Sequence, residues 1–295
     1  MPKQAVLLTK SQNMINFMKV RHREHIVMQA EGEIEKKYET LPSGLYEASD
    51  VGGPFTTVYA FKPIETVDKL IKFKTGVVRD TLQMVDDFFS DKTKRLYEDM
   101  QIARKMGIIF YGPPGTGKTA TAMILMREIT IQRPDTICID FTGKRLGFMR
   151  EVIRRLRRIQ NGPIIAFMDE VEEAFSGNET EYLTFLDGTD SVNDFIFLGC
   201  TNFLDKIPRR IRERKSRIKH TIEIKSLPQE IYVEYIKAKI RNISESEVTK
   251  IAFLAEDKGL TIDELKNCLI DYHIEGMDIE KAIHNAKKYD KQDDW

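Results

Sequence analysis

Eight consecutive residues, Gly112-Pro113-Pro114-Gly115-Thr116-Gly117-Lys118-Thr119, restrict this chain more than any other segment does. Two glycines separated by four residues and followed by Lys-Thr make a loop that cradles phosphate oxygens. Gly115 and Gly117 accept backbone angles closed to other residues, so successive N–H groups can turn toward one anion. The helix that opens at the loop adds the positive end of its dipole. Lys118 has the reach for β- and γ-phosphates, and the Thr119 hydroxyl is a ligand for Mg²⁺. This chemistry needs a strand before the loop and a helix after it. Residues 106–111 (MGIIFY) form a short apolar run that reads as a buried strand, and 119–129 has helical spacing without a breaker.

Between residues 106 and 224 apolar strand-like runs alternate with helical segments, the pattern of a parallel sheet with crossover helices. The expected strands are 107–111, 136–141, 164–168, 195–200 and 220–224. After Pro228 the strands stop, and 228–241, 244–257, 261–273 and 277–289 read as helices. Ser244 with Glu247 and Thr261 with Glu264 are capping-box pairs that mark two of their starts. The expected fold is therefore α/β: a P-loop nucleotide-binding domain with a five-stranded parallel sheet over 76–227, then a small all-α lid domain over 228–295. Residues 1–75 form an expected N-terminal client, adaptor or packing segment. It holds a helix over 11–37, with Met14, Phe17 and Met18 on one side, and two short strands within 44–61 around Gly52-Gly53. A further amphipathic helix is expected over 77–89, and a polar, frayed tail over 287–295.

The 295 residues carry 46 Lys+Arg and 46 Asp+Glu, so the net charge is zero. That balance argues against wholesale electrostatic binding to nucleic acid or membrane and leaves only local patches. No apolar stretch approaches a membrane span, and the N-terminal apolar run of four residues is too short for a secretory signal. Cys138, Cys200 and Cys268 are far apart in apolar segments and read as buried, reduced thiols of a cytoplasmic protein. His22 and His25 have no carboxylate or cysteine cluster beside them to make a metal site.

Residues 164–170 (IIAFMDE) are an apolar strand ending in two carboxylates. In a parallel sheet that end opens onto the ligand crevice, beside the phosphate loop. Asp169 is placed to hold Mg²⁺ through water, and Glu170 to polarise the water attacking a γ-phosphate.

Taken together, GPPGTGKT, the IIAFMDE strand, Leu186-Asp187-Gly188 and Gly199-Cys200-Thr201-Asn202 resemble the AAA+ ATPases, and within them the AAA branch with its second region of homology. The resemblance runs over about 58–289. It implies ATP as the nucleotide and a ring, hexamer-like homo-oligomer. It implies that Asn202, at the end of the fourth strand, positions the attacking water. Arg214-Lys215-Ser216-Arg217-Ile218 is similar to the Arg-x-Gly-Arg-Phe element whose arginines reach into a neighbour's ATP, with Ser216 and Ile218 in place of Gly and Phe. Arg214 and Arg217 are thus the expected trans-acting arginines and Arg212 a stand-in; a solvated basic face over 209–219 is the alternative reading. Such a guanidinium offsets charge in the transition state. No arginine occurs over 259–265, where some AAA+ branches place one, and the AAA branch lacks it too. Asp50-Val51-Gly52-Gly53 is similar to the family's adenine-contacting segment, yet a plain turn explains it equally.

The family's rings grip clients through an aromatic-hydrophobic-Gly loop after the second strand. Here that connection, 142–148 (TGKRLGF), lacks the pattern, leaving Leu146 or Phe148 as candidate gripping residues. The next helix is amphipathic, with Val152, Ile153, Leu156 and Ile159 inward and Arg150, Arg154, Arg157 and Arg158 outward. The connection after Glu170 is brief. Two function classes follow: an ATP hydrolase that remodels or disassembles a protein complex, or a nucleic-acid motor or loader using Lys144, Arg145 and the arginine-rich face. The plainer reading of that face is pairing between subunits, with acids or with ATP. A non-hydrolysing switch or scaffold is disfavoured by the joint presence of Asp169, Glu170 and Asn202.

Overall fold

A computed structural model describes residues 17–20, 26–28, 34–51, 58–64, 76–187, 192–213, 218–225 and 229–289. It begins with β1 (Phe17–Val20), β2 (Ile26–Met28), β3 (Ile34–Tyr38), β4 (Gly44–Asp50) and β5 (Tyr59–Pro63). Helices α1 (Gly76–Phe88) and α2 (Asp91–Asp99) lead into β6 (Lys105–Tyr111). Then come α3 (Lys118–Gln132), β7 (Ile137–Asp140), α4 (Leu146–Ile159) and β8 (Ile164–Met168). Helices α5 (Val171–Phe175) and α6 (Glu179–Asp187) precede β9 (Phe195–Thr201), α7 (Arg209–Arg212) and β10 (His220–Glu223). The described chain closes with α8 (Gln229–Lys239), α9 (Glu245–Asp257), α10 (Ile262–His273) and α11 (Ile279–Tyr289).

Among the described residues the strands form one ten-stranded sheet in the order β10-β6-β9-β8-β7-β4-β5-β2-β1-β3. Neighbours from β10 to β4 run parallel, and every pairing beyond β4 is antiparallel. The five strands expected from the sequence are all present as β6 to β10. Strands β6 to β9 read as largely apolar runs because both faces are covered, whereas β10, at the sheet edge, alternates half-buried and exposed residues. Ile109, Ile139, Ala166 and Phe197 face a core shared with α4, α5 and α6. Ile108, Phe110, Cys138, Phe167 and Leu198 face a second core with α1 and α3.

The sheet extends further toward the N-terminus than the sequence indicated. β4 pairs in parallel with β7, Tyr46 opposite Ile139, and Tyr46, Ala48, Tyr59 and Phe61 are buried in the main core. The helix expected over 11–37 is replaced by β1, β2 and β3. The open edge of β5 accepts β2, with Ile26 opposite Phe61, and β1 and β3 continue the ladder. A segment carrying Val20, Ile26, Val27 and Ile34 is suited to such pairing, and an available edge outweighs helical spacing. Met14, His22, His25, Gly52 and Gly53 lie outside the described residues. The hairpin that the glycines were expected to turn is nonetheless closed beside them, Val51 N–H donating to the Val58 carbonyl at 2.8 Å.

The lid helices pack around Tyr232, Ile236, Ile251, Leu265 and Ile283. Both expected capping boxes are formed, by Ser244 with Glu247 and Thr261 with Glu264. No described helix is long and apolar enough to cross a membrane.

Candidate active site

Parallel register brings the functional segments to one end of the sheet. Tyr111, the last residue of β6, lies opposite Thr201 of β9 and Glu223 of β10, while Met168 of β8 lies opposite Gly199. Gly112, Asp169 and Asn202 each follow directly, at the carboxyl ends of three adjacent strands. This is the edge at which parallel sheets hold ligands.

The phosphate loop is bound to itself through polar side chains. Lys118 is only 6% exposed, and its ammonium donates to the carbonyls of Gly112 at 2.9 Å and Pro113 at 2.7 Å. Burial pushes its pKa below the ordinary lysine value, and Cys200, Asp169 and Glu172 pull it back up. The Thr116 hydroxyl donates to the Pro113 carbonyl at 2.9 Å. Gly117 caps α3 with a left-handed φ of 85°, and a Cβ there would meet nothing within 4 Å. The loop therefore presents open space where α3 begins, with a buried cation beneath it.

Thr119, in the first turn of α3, donates its hydroxyl to Asp169 Oδ2 at 2.5 Å. Glu170, exposed at the start of α5, has a left-handed φ of 51°, unusual for a residue with a side chain. Its N–H donates to Asp169 Oδ1 at 3.0 Å. Such conformations concentrate at functional turns. Asn202 is half-buried where β9 ends, and the turn is fixed by Phe203 N–H donating to Thr201 Oγ1 at 2.9 Å.

Sequence reasoning missed two residues that shape this turn. Asp169 N–H donates to the Thr142 hydroxyl oxygen at 2.9 Å, and Thr142 N–H donates to Asp140 Oδ1 at 2.8 Å. Burial raises the Asp140 pKa above the usual carboxylate value, and the bonds from Thr142 oppose that rise. The legible signal was an Asp-x-Thr at the end of β7, the strand beside β8.

Beside Glu170 and Asn202 runs a groove of about 770 Å³ lined by Glu172, Glu173, Ser176, Glu179, Phe203 and Lys206. The Lys206 ammonium sits 3.7 Å from the centre of the Phe203 ring. Arg214 and Arg217 lie outside the described residues. Arg212 donates to the Leu204 carbonyl at 3.1 Å, and Arg209 pairs with Glu213 at 2.6 Å.

Three expectations for the 142–159 region need correction. Arg157 does not face outward: its guanidinium is half-buried and donates to the carbonyls of Gly162, Asn193 and Asp194, with burial lowering its pKa to about 10. The reason is a cluster of strand-end carbonyls that only a long cation reaches. Leu146 is 4% exposed within the main core. Phe148 packs edge-on against Tyr59 and Phe141, so neither residue is free to grip a client. Lys144 pairs with Glu47 of β4 at 3.5 Å, and Arg154 and Arg155 pair with Glu151 at 3.5 and 2.9 Å.

Residues 108–226 match the family described as "ATPase family associated with various cellular activities (AAA)". The chain is 28% identical over 219 residues to the ATP-dependent zinc metalloprotease FtsH 2 of Thermoanaerobacter sp. (strain X514), covering 70% of this chain and 41% of that one. It is 27% identical over 250 residues to a cell division cycle protein 48 homolog of Archaeoglobus fulgidus, covering 77% and 32%. Identity to a proteasome-activating nucleotidase of Methanococcus vannielii is 27% over 198 residues, covering 61% and 48%. The chain thus spans less than half the length of each of these relatives. The matched segment contains the phosphate loop, Asp169, Glu170 and Asn202 at the ends of its parallel strands, and this segment of the chain is an AAA-family ATPase domain.

Proposed function

We propose that this chain binds and hydrolyses ATP with Mg²⁺ at the subunit interfaces of a ring oligomer, and that turnover drives remodelling of a protein complex. The observation that carries the reading is the convergence of Lys118, the Thr119–Asp169 pair, Glu170 and Asn202 at the carboxyl ends of β6, β8 and β9. The loop N–H groups and Lys118 bind the phosphates and offset their charge. Thr119 and Asp169 bring together two oxygens of the hard kind that Mg²⁺ takes, and would hold it. A Mg²⁺ ion held by Thr119 and Asp169 would offset negative charge on the bound phosphates. Glu170 polarises the water that attacks the γ-phosphate, and Asn202 orients it.

The acidic groove beside Glu170 is complementary in charge to the predominantly basic 209–219 sequence of a second copy, which supports a shared site with Arg214 and Arg217 acting in trans. A protein client is favoured over nucleic acid because Lys144 is engaged by Glu47 and Arg157 by backbone carbonyls. Relatives named as a zinc metalloprotease and a proteasome-activating nucleotidase support the same direction. Within the assembly, residues 1–75 are proposed to meet the client through the β1–β3 margin, 76–227 to carry the nucleotide site and 228–295 to act as the lid. A cytoplasmic location fits this reading and the three free, buried cysteines.

The test is the mass in solution of Glu170→Gln with ATP and Mg²⁺ and without nucleotide. A nucleotide-dependent shift to a ring-sized particle is expected. A monomer in both states would remove the trans-arginine assignment.

A further inference from the structure

The second capping box does more than start a helix. Leu260, just before it, is 1% exposed, and its carbonyl accepts from the hydroxyl of fully buried Tyr232 at 2.5 Å. Its N–H donates back to Ala255 at 2.8 Å. Thr261 follows, with its N–H held by Glu264 Oε2 at 2.6 Å and its hydroxyl accepting from Glu264 N–H at 3.1 Å. Three lid helices, α8, α9 and α10, thus hold Thr261 in one place.

That place is against the phosphate loop. A Cβ on Gly115 would lie 2.7 Å from Thr261 Cβ, 2.8 Å from its Oγ1 and 2.9 Å from its Cγ2. Ile262 N–H, in the first turn of α10, donates to the Gly115 carbonyl at 3.2 Å. Gly115 has a left-handed φ of 73°, so its peptide sets how the neighbouring loop N–H groups face. Among the other loop carbonyls, Gly112 and Pro113 are bonded within the loop by Lys118 and Thr116, and Gly117 accepts from Thr121 N–H of α3. The Gly115 carbonyl is bonded by the lid.

We infer that Thr261 is a positioning residue for nucleotide binding: packed against Gly115 from a rigid lid corner, it holds the phosphate loop in its anion-binding shape and links loop to lid. This rests on the ATP reading above. It assigns the lid a physical hold on the loop in a chain with no arginine over 259–265. The link is reciprocal, so phosphate binding that shifts Gly115 must also shift the lid.

The test compares Thr261→Ala with Ser244→Ala, which removes the equivalent cap of α9 away from the loop, and with Thr261→Ser, which keeps the cap. Two quantities are read in the full chain: amide exchange of 112–119 without nucleotide, and the Kd for a fluorescent ADP. Thr261→Ala is expected to speed exchange across the loop and raise Kd about fivefold or more. Ser244→Ala should lower the melting temperature to a similar degree while leaving both readouts unchanged, and Thr261→Ser should restore them. Loop exchange unchanged in Thr261→Ala, or changed equally in Ser244→Ala, would overturn the inference. Lys118→Ala separates the two ideas. If it binds ADP as the parent does while Thr261→Ala still loosens the loop, the nucleotide reading fails and the lid–loop contact stands.

Discussion

Thr119 and Asp169 lie 50 residues apart and meet at 2.5 Å, the hydroxyl of one donating to the carboxylate of the other. The contact ties the first turn of α3 to the end of β8. Thr119→Ala and Asp169→Asn should each weaken ATP binding in the presence of Mg²⁺ while leaving binding in EDTA nearly unchanged. Titration of a fluorescent ATP analogue with and without EDTA measures this. Equal losses under both conditions would show that the pair serves the loop rather than the ion.

Glu170→Gln keeps the shape of the turn and removes the proposed base. Turnover should fall by about 10²–10⁴-fold with ATP affinity preserved. Phosphate release and equilibrium binding of the same preparation give both numbers. Loss of affinity parallel to turnover would assign Glu170 to binding.

Phe197 is fully buried in β9 and packs against Phe175 with ring centres 6.0 Å apart. Phe197→Ala should destabilise the domain by about 3–5 kcal/mol, seen as a lower denaturation midpoint. A loss under about 1 kcal/mol would mean that the core between the sheet and α5 collapses to fill the space.

Much of this fold was legible because its signals are local. The phosphate loop needs a strand before it and a helix after it, and MGIIFY and the helix opening at Lys118 supply both. The lid helices announced themselves through Ser244–Glu247 and Thr261–Glu264, whose partners are three residues apart. What stayed hidden depends on distant pairing. Nothing near Ile26 shows that it will lie opposite Phe61, so the β1–β3 extension read as a helix. Arg157 has the helical spacing of an outward residue, and only the folded chain brings the Asn193 and Asp194 carbonyls to it. The Thr142 hydroxyl gains its role from Asp169, 27 residues later.

Glu247 accepts hydrogen bonds from Ser244 and Tyr272, which hold its pKa at about 2 against an ordinary 4.5. Because the folded value is depressed, this contribution is complete above the ordinary value and fades as pH falls toward 2. Glu247→Gln should therefore melt lower than the parent at pH 7, with the gap narrowing as pH is lowered below 4.5. A gap independent of pH would show that the carboxylate charge is not what Ser244 and Tyr272 stabilise.

Lys144 is paired with Glu47 from β4 at 3.5 Å, an acid that offsets its charge. Lys144→Ala/Arg145→Ala should leave DNA and RNA binding at the parent's level at low and physiological salt. A salt-sensitive affinity present in the parent and lost in the double variant would move the client from protein to nucleic acid.

The most direct test of the site is steady-state phosphate release from ATP and Mg²⁺ by the parent, Lys118→Ala and Glu170→Gln, run beside a binding measurement on each. The parent should turn over, Lys118→Ala should neither bind nor hydrolyse, and Glu170→Gln should bind without appreciable hydrolysis. Phosphate release by Lys118→Ala at the parent's rate would contradict the assignment of this loop as the ATP site.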